Sequence, residues 1–282
     1  MHRGSVLTWG WGVAAAMGVL LVVAGCGSSA NSSTKTTSSS TASQSSASSS
    51  SAKSTPTSSS TSSSSAKSTP TSSATAAASC ASGAAGSNGL ITVSEEPDSG
   101  VNTTSGKCWP SITETPITSV VIGTSQPDTS AWTKVAWSPS NLYVLAYVQN
   151  WPLPTGGASL WNGQTVEFYV SGNNTKAATF GPEDGQFGIL AGSSTVNKGV
   201  NSQLTVLPTG MSNVVQGQGY YAELIVPWKG LGVSSPASGQ EYKFDVAADF
   251  SNDTGTQVAQ LMWTGTQNNY ETTVGWGSIK LG

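Results

Sequence analysis

Histidine and arginine are almost absent from this 282-residue sequence. The one histidine, His2, and the one arginine, Arg3, stand at the very start of the chain, in a segment that we expect to be removed. The remaining chain has no imidazole for a Ser-His-Asp triad or for binding zinc or copper. It also has no guanidinium group for phosphate. These absences exclude triad hydrolases, His-ligated zinc enzymes and copper-dependent polysaccharide monooxygenases.

Positive charge is also scarce. All fourteen acidic residues lie beyond Ser94, together with seven of the lysines, so this part of the chain carries a net charge of −7. A negative surface without arginine is unsuited to nucleic acids and other anionic polymers. We therefore expect no nucleic-acid partner, and neutral polymers remain as candidates.

The N-terminal segment predicts export. Arg3 precedes an apolar run at residues 13–24, which is short for a membrane span and ends in small residues, as a cleaved signal does. Residues 23–26 are typical of a lipobox, which predicts cleavage after residue 25 and lipidation of Cys26. Acyl chains contribute about 0.8 kcal/mol per buried CH₂, so two or three of them would keep the protein on the membrane. The alternative is an ordinary signal peptide with an incidental cysteine.

The next segment, residues 27–79, consists almost entirely of Ser, Thr and Ala. Such a composition has too little to bury to offset its ordering entropy, so it predicts a disordered tether. With roughly 50 residues, its r.m.s. span would be about 40 Å. We thus predict a signal peptide at 1–25, lipidated Cys26 with a tether at 26–79, and one domain at 80–282.

The domain is predicted to be an all-β sandwich of the jelly-roll or immunoglobulin-like type. Strand-like runs alternate with turn-forming residues, and no helical periodicity of useful length occurs. Once Cys26 is lipidated, Cys80 and Cys108 are the remaining cysteines. An even pair in an exported chain predicts a disulfide, with two free thiols as the alternative.

Residues 160–170 are the most informative stretch. Residues 165–170 are rich in β-branched and aromatic residues, which favours a strand, and Glu167 is its one charge. Trp161 stands just before this strand. An indole can stack on the C–H face of a pyranose while a carboxylate accepts hydrogen bonds from hydroxyls. The pattern indicates a sugar site.

This stretch resembles the corresponding block of family 9 carbohydrate-binding modules, whose usual form is Trp-x-x-Asp-Ser-Val-Glu-Ile-Phe. Further similar blocks occur in the family's order within residues 91–282, at 134–148, 219–228, 242–249, 260–263 and 276–281. The resemblance implies a β-sandwich that clamps a sugar at a chain end between two aromatic side chains. Related sandwich domains also bind haem.

The resemblance also implies roles for particular residues. Trp161 and Tyr270 correspond to the two stacking aromatics, and Glu167 to the sugar-binding glutamate. Asn268 or Asn269 corresponds to a sugar-binding amide, and the choice between them stays open.

Three positions depart from the family pattern. Gly188 stands where the family has a sugar-binding arginine. Ala247 stands where it has a glutamine that contacts sugar, and Gln164 replaces the aspartate of the Asp-Ser-Val-Glu block.

The function expected from these features is non-catalytic binding of neutral glycan ends at the cell surface, in support of polysaccharide catabolism. We expect an extracellular, lipid-anchored monomer whose membrane contact is its lipid. A surface scaffold or adhesin with a degenerate sugar site is the alternative. A hydrolase using Glu167 and Glu223, and a haem module ligated by Met211, Met262 or a lysine, are further rivals.

Calcium is the one metal that the resemblance suggests. Asp249, Asn252 and Asp253 form an oxygen-rich segment that could hold a structural Ca²⁺ ion, which needs about six to eight oxygen ligands. Such clusters also occur as solvated turns. No other cofactor is expected.

Overall fold

A computed structural model describes residues 79–81, 89–124, 127, 129–154 and 160–282. The predicted signal peptide, Cys26 and nearly all of the predicted tether lie outside these residues. None of the helices among them has the length and apolar composition needed to span a membrane.

Strands are the main regular elements of the described chain. They are β1 (Leu90–Glu95), β2 (Thr115–Pro116), β3 (Ser119–Gly123), β4 (Ser130–Trp137), β5 (Asn141–Gln149), β6 (Thr165–Ser171), β7 (Asp184–Leu190), β8 (Asn197–Lys198), β9 (Thr209–Val215), β10 (Gly219–Pro227), β11 (Glu241–Ser251), β12 (Gln257–Met262) and β13 (Gly277–Leu281). One short α-helix, Asp98–Val101, and three 3₁₀ turns, Trp109–Ser111, Leu160–Asn162 and Trp228–Leu231, complete the structure of these residues.

The strands form one curled sheet with the order β8-β7-β6-β11-β13-β1-β4-β5-β10-β9, with β12 on β11, β3 on β12 and β2 on β4. Strand β1 belongs to both sides of the curled sheet, because Leu90 to Val93 pair with β13, whereas Ser94 and Glu95 pair with β4. We call the strands on the β13 side sheet 1 and those on the β4 side sheet 2. The predicted all-β sandwich is confirmed.

The core lies between the two sheets and follows from period-2 alternation. In β6, Val166, Phe168 and Val170 are buried in the main hydrophobic cluster. Alternate residues of a strand point to opposite faces, so Glu167 and Tyr169 lie on the outer face of sheet 1. This outer face carries the polar residues from which the site is built.

The outer face of sheet 2 is covered in part by the segment before β2. Trp109 and Ile112 of this segment pack with Tyr143 and Leu145 of β5. The Cys80–Cys108 disulfide, which joins Cα atoms 5.1 Å apart, ties the segment down. The predicted disulfide is therefore confirmed.

Candidate functional site

A pocket of about 220 Å³ opens on the outer face of sheet 1. It brings together three of the residues predicted from sequence, Trp161, Glu167 and Tyr270. Its other lining residues are Ile122, Asn162, Tyr169, Gln186, Gln257, Gln260 and Gln267. The pocket thus combines aromatic rings with a carboxylate and several side-chain amides.

Glu167 forms the floor of this pocket and is only 4% exposed. Its Oε2 accepts a hydrogen bond from the Tyr169 hydroxyl, and a second from Gln186 Nε2 at 2.8 Å. Burial, and then the nearby charge of Glu167, raise the pKa of Tyr169 well above its ordinary value. Tyr169 therefore stays protonated and donates, which fixes the orientation of the carboxylate.

A second carboxyl group, Asp249, lies beside Glu167 and is completely buried. Its Oδ1 accepts hydrogen bonds from Gln257 Nε2 and Gln260 Nε2, both at 2.8 Å. Burial, followed by the charge of Glu167, raises the pKa of Asp249 well above its ordinary value. Burial next to a second carboxyl group thus favours the protonated form of Asp249.

Trp161 belongs to the 3₁₀ turn Leu160–Asn162, which the Thr165 hydroxyl fixes by donating to the carbonyl of Leu160. The indole lies directly over Gly188 of β7. A Cβ atom at position 188 would come within 2.9 Å of Trp161 Cζ3. The space that a longer side chain would need at position 188 is therefore filled by the indole.

Tyr270 lies in the β12–β13 connection and is 43% exposed. Its backbone carbonyl accepts a hydrogen bond from Asn201 Nδ2 at 2.8 Å. A hydrogen bond with Glu271, and the charge of that residue, raise the pKa of the Tyr270 hydroxyl. The hydrogen bond from Asn201 holds the backbone of Tyr270, and the ring of Tyr270 stays accessible at the pocket.

The two candidate asparagines have different positions. Asn269 is 1% exposed, its Nδ2 donates to Asp245 at 3.0 Å, and its Oδ1 accepts from the Thr266 backbone N–H. Asn268 is exposed and does not line the pocket. Asn269 thus shapes the segment that carries Tyr270, while the amides in the pocket come from glutamines.

Asp245 anchors the same segment from β11. Its carboxylate accepts from the backbone N–H and the hydroxyl of Thr264, at 3.2 and 2.9 Å, besides its bond from Asn269. Burial raises the pKa of Asp245 to about 6, although these hydrogen bonds oppose the shift. The donors converge on the carboxyl group of Asp245, which links the Tyr270 segment to sheet 1.

Sequence reasoning missed Tyr169, Gln186, Gln257 and Gln260. Tyr169 lies two residues after Glu167 and therefore on the same face of β6. Gln186 and Gln260 are each on a strand whose pairing was not predicted. Ala247, opposite Glu167 in β11, packs with Met262 and Trp276. Ala247 has no amide, although the resemblance places a glutamine at this position. The amides on the outer face of sheet 1 come instead from glutamines of neighbouring strands.

The residues proposed for calcium are engaged elsewhere. Asp249 is held by the two glutamines described above, and Asn252 Oδ1 accepts from the backbone N–H groups of Thr254 and Thr256. Asp253 is exposed. Among the described residues, the group of acidic and Cys ligands close enough for a metal ion is Cys80, Glu96 and Cys108, two of which form the disulfide. These hydrogen bonds give the calcium prediction no support, and it stays a prediction.

The structure also bears on the rival functions. Glu223 lies on the outer face of sheet 2, so it is not a partner for Glu167 on sheet 1. Met211 is 44% exposed on β9, whereas Met262 is buried on β12 of the other sheet. The two carboxylates named for a hydrolase do not come together, and the two methionines named as haem ligands lie on different sheets.

Comparison with protein families gives one assignment. The family model described as "Carbohydrate family 9 binding domain-like" matches residues 101–282. The match includes every strand from β2 onwards and all residues that line the pocket.

Curated relatives match over a similar region. Endo-1,4-beta-xylanase A of Thermotoga neapolitana is 26% identical over 164 residues, which are 57% of this chain and 15% of that protein. Endo-1,4-beta-xylanase A of Thermotoga maritima is 24% identical over 164 residues, again 57% of this chain and 15% of the relative. The matched region is thus a small part of each xylanase.

Solved structures share the fold. A family 9 carbohydrate-binding module from Caldicellulosiruptor kristjanssonii in complex with glucose has a TM-score of 0.60 and 18% identity, covering 68% of this chain and 95% of the module. The same organism's module in complex with cellotriose has a TM-score of 0.57, also at 18% identity, covering 68% of this chain and 93% of the module.

Proposed function

Because the chain belongs to the carbohydrate family 9 binding domain-like family, we propose that it binds neutral carbohydrate, without catalysis, in the pocket between Trp161 and Tyr270. The observation that carries this proposal is the convergence of Trp161, Tyr270 and Glu167 on one pocket. Apolar walls with a few convergent polar groups are the usual composition of a small-ligand site.

The chemistry of the pocket suits a sugar unit. The two aromatic rings offer apolar faces for pyranose C–H groups, and each such stacking contact is worth about 0.5–1.5 kcal/mol beyond its buried area. Glu167 accepts hydrogen bonds from hydroxyls, and the glutamine amides both donate and accept them. The pocket has no cationic side chain among its lining residues, which favours a neutral ligand.

The same geometry argues against hydrolysis. Glycosidases place two carboxyl groups on either side of the scissile bond, about 5–5.5 Å or about 6.5–9.5 Å apart. Glu167 and Asp249 instead lie side by side on one face of sheet 1, and Asp249 is wholly buried. This pair can orient a ligand but cannot flank a bond.

The location we propose follows from the sequence and from the disulfide. Residues 1–25 would direct export, Cys26 would carry lipid, and residues 26–79 would tether the domain at 80–282 to the cell surface. The Cys80–Cys108 disulfide fits an oxidising, extracellular compartment. There the protein would concentrate polysaccharides, such as β-glucan or xylan, for separate hydrolases.

The proposal is tested by calorimetric titration of the full chain with cellotriose, xylotriose and chitotriose. We expect one of these sugars to bind, and Trp161→Ala or Tyr270→Ala to weaken that binding at least about tenfold, or ~1.4 kcal/mol. Loss of a stacking face removes both the buried area and the favourable ring contact.

Val274→Ala provides the matched control. Val274 is 52% exposed, follows Tyr270 by four residues and does not line the pocket, so its truncation should leave the affinity unchanged. A folded chain that binds none of the three sugars would reject the proposal and favour a scaffold or adhesin.

A further inference from the structure

Trp151 is an exposed tryptophan that the first pocket does not use. It follows β5 and is 44% exposed. A single exposed aromatic residue needs no explanation. Trp151, however, lines a separate pocket of about 370 Å³, together with Tyr147, Gln149, Gly217 and Gln218. This pocket is on the outer side of sheet 2, on the opposite layer of the sandwich from Glu167.

The composition of this second pocket matches that of the first. Tyr147 and Trp151 provide aromatic surface, and Gln149 and Gln218 provide amides that donate and accept hydrogen bonds. Gln149 Oε1 accepts from the Ser130 hydroxyl at 3.2 Å, which leaves the amide N–H groups of Gln149 for a ligand. Gly217, in the turn between β9 and β10, has a φ of 80°, a conformation that favours glycine.

Neighbouring rings hold Tyr147 in place. Trp132, Tyr147 and Tyr221 occupy paired positions on β4, β5 and β10. The ring centroid of Tyr147 lies 5.4 Å from that of Trp132 and 4.7 Å from that of Tyr221. Such contacts pre-organise an aromatic wall, which reduces the ordering cost of binding.

The charge around the second pocket favours a neutral ligand. Lys134, which lies near the Trp132 ring, forms an ion pair with Glu114 at 3.5 Å and donates to the carbonyl of Trp109. Its charge is therefore engaged on the covered part of sheet 2. The five residues that line the pocket carry no charge.

We propose that the pocket of Tyr147, Gln149, Trp151, Gly217 and Gln218 is a second carbohydrate-binding site, which takes neutral sugar units. The choice of a sugar as ligand rests on the proposed function of the first pocket, while the pocket itself is independent of it. Two sites on opposite layers let one domain bind two glycan chains.

The test follows the indole N–H resonances of the ¹⁵N-labelled full chain during titration with cellotriose, xylotriose and chitotriose. Trp151→Ala and Trp161→Ala assign the two signals. We expect both signals to shift with the same sugar, and the Trp151 signal to keep shifting in the Trp161→Ala variant. Trp151→Ala should abolish the second site and leave the titration of the Trp161 signal unchanged within about twofold.

The outcomes separate the two proposals. A shift of the Trp161 signal alone rejects the second site and supports the first. A shift of the Trp151 signal alone rejects the first site and supports the second. If neither signal moves, both proposals are wrong. If the Trp151 shift disappears in Trp161→Ala, the shift is transmitted from the first pocket and the second site is rejected. Leu207→Ala, a truncation of a 54% exposed residue outside both pockets, should change neither signal.

Discussion

Trp161 can take its position because Gly188 has no side chain. Gly188 lies under the indole, and a Cβ atom there would approach Trp161 Cζ3 to 2.9 Å. The resemblance to family 9 modules places an arginine at this position, so the glycine at first suggests a lost contact. The structure shows another consequence, because the vacated space lets the ring pack against β7. A glycine at position 188 thus provides no hydrogen-bonding side chain, but it makes room for an aromatic wall.

Glu223 makes a pH-dependent contribution to stability. It is 2% exposed beneath the segment before β2, and its Oε1 has no hydrogen-bond partner among the described residues. Burial raises its pKa to about 7, against a weaker opposing hydrogen bond from the Thr104 backbone. The folded state therefore keeps this proton where the unfolded chain has lost it, so the free energy of unfolding falls as pH rises from about 4.5 to about 7.

Glu223→Gln should remove this pH dependence. After allowance for solvent screening, we expect the variant to be more stable than the parent by about 1–2 kcal/mol at pH 8 and similar to it at pH 4. Urea unfolding at the two pH values measures the difference. Glu95→Gln, at an exposed position, should leave the pH profile of the parent unchanged. An equal effect of Glu223→Gln at both pH values would contradict the explanation.

At the scale of elements, the sequence predicted which segments form strands better than it predicted which strands pair with each other. β-branched and aromatic residues predicted β6 from local pattern, whereas the segment of β10 was recognised as a block of the family resemblance. The outer face of sheet 1 depends on which strands pair, and local pattern does not contain that information. Gln186 reaches Glu167 because β7 pairs with β6, and Gln260 reaches Asp249 because β12 pairs with β11. The glutamines of the site were therefore missed, whereas Trp161 and Glu167 were indicated by local pattern and Tyr270 by the family resemblance.

The disulfide ties down the segment that covers the outer face of sheet 2. Cys80 and Cys108 are 28 residues apart in sequence, and Cys108 packs there with Val101 and Trp109. Replacing both cysteines by serine should lower the free energy of unfolding by about 2–4 kcal/mol, as expected for a loop of this length. Sugar affinity at Trp161 should not change, because that pocket lies on the other layer.

Chemical unfolding and calorimetric titration of the Cys80→Ser, Cys108→Ser double variant check this expectation. Cys26→Ser is the matched control, because it removes a thiol outside the disulfide. A double variant as stable as the parent would show that packing alone holds the segment. Loss of sugar affinity would show that the two outer faces are coupled.

The whole molecule is suited to neutral ligands. From Glu95 onwards it carries a net charge of −7 and no arginine. Both pockets present aromatic rings and amides, and Glu167 is the one charged group that lines either of them. Recognition by stacking and neutral hydrogen bonds releases no counterions, in contrast to recognition of a polyanion.

Sugar binding should therefore be nearly independent of salt. Between about 50 mM and about 500 mM NaCl, we expect the affinity for the best of the three trisaccharides to change less than about twofold, since the Debye length affects only interactions between charges. Calorimetry at the two salt concentrations measures this directly. Polygalacturonate, an anionic polysaccharide, is the comparison, and the negative domain should repel it at low salt. A tenfold fall in trisaccharide affinity at high salt would mean that charge, rather than stacking and hydrogen bonding, dominates recognition.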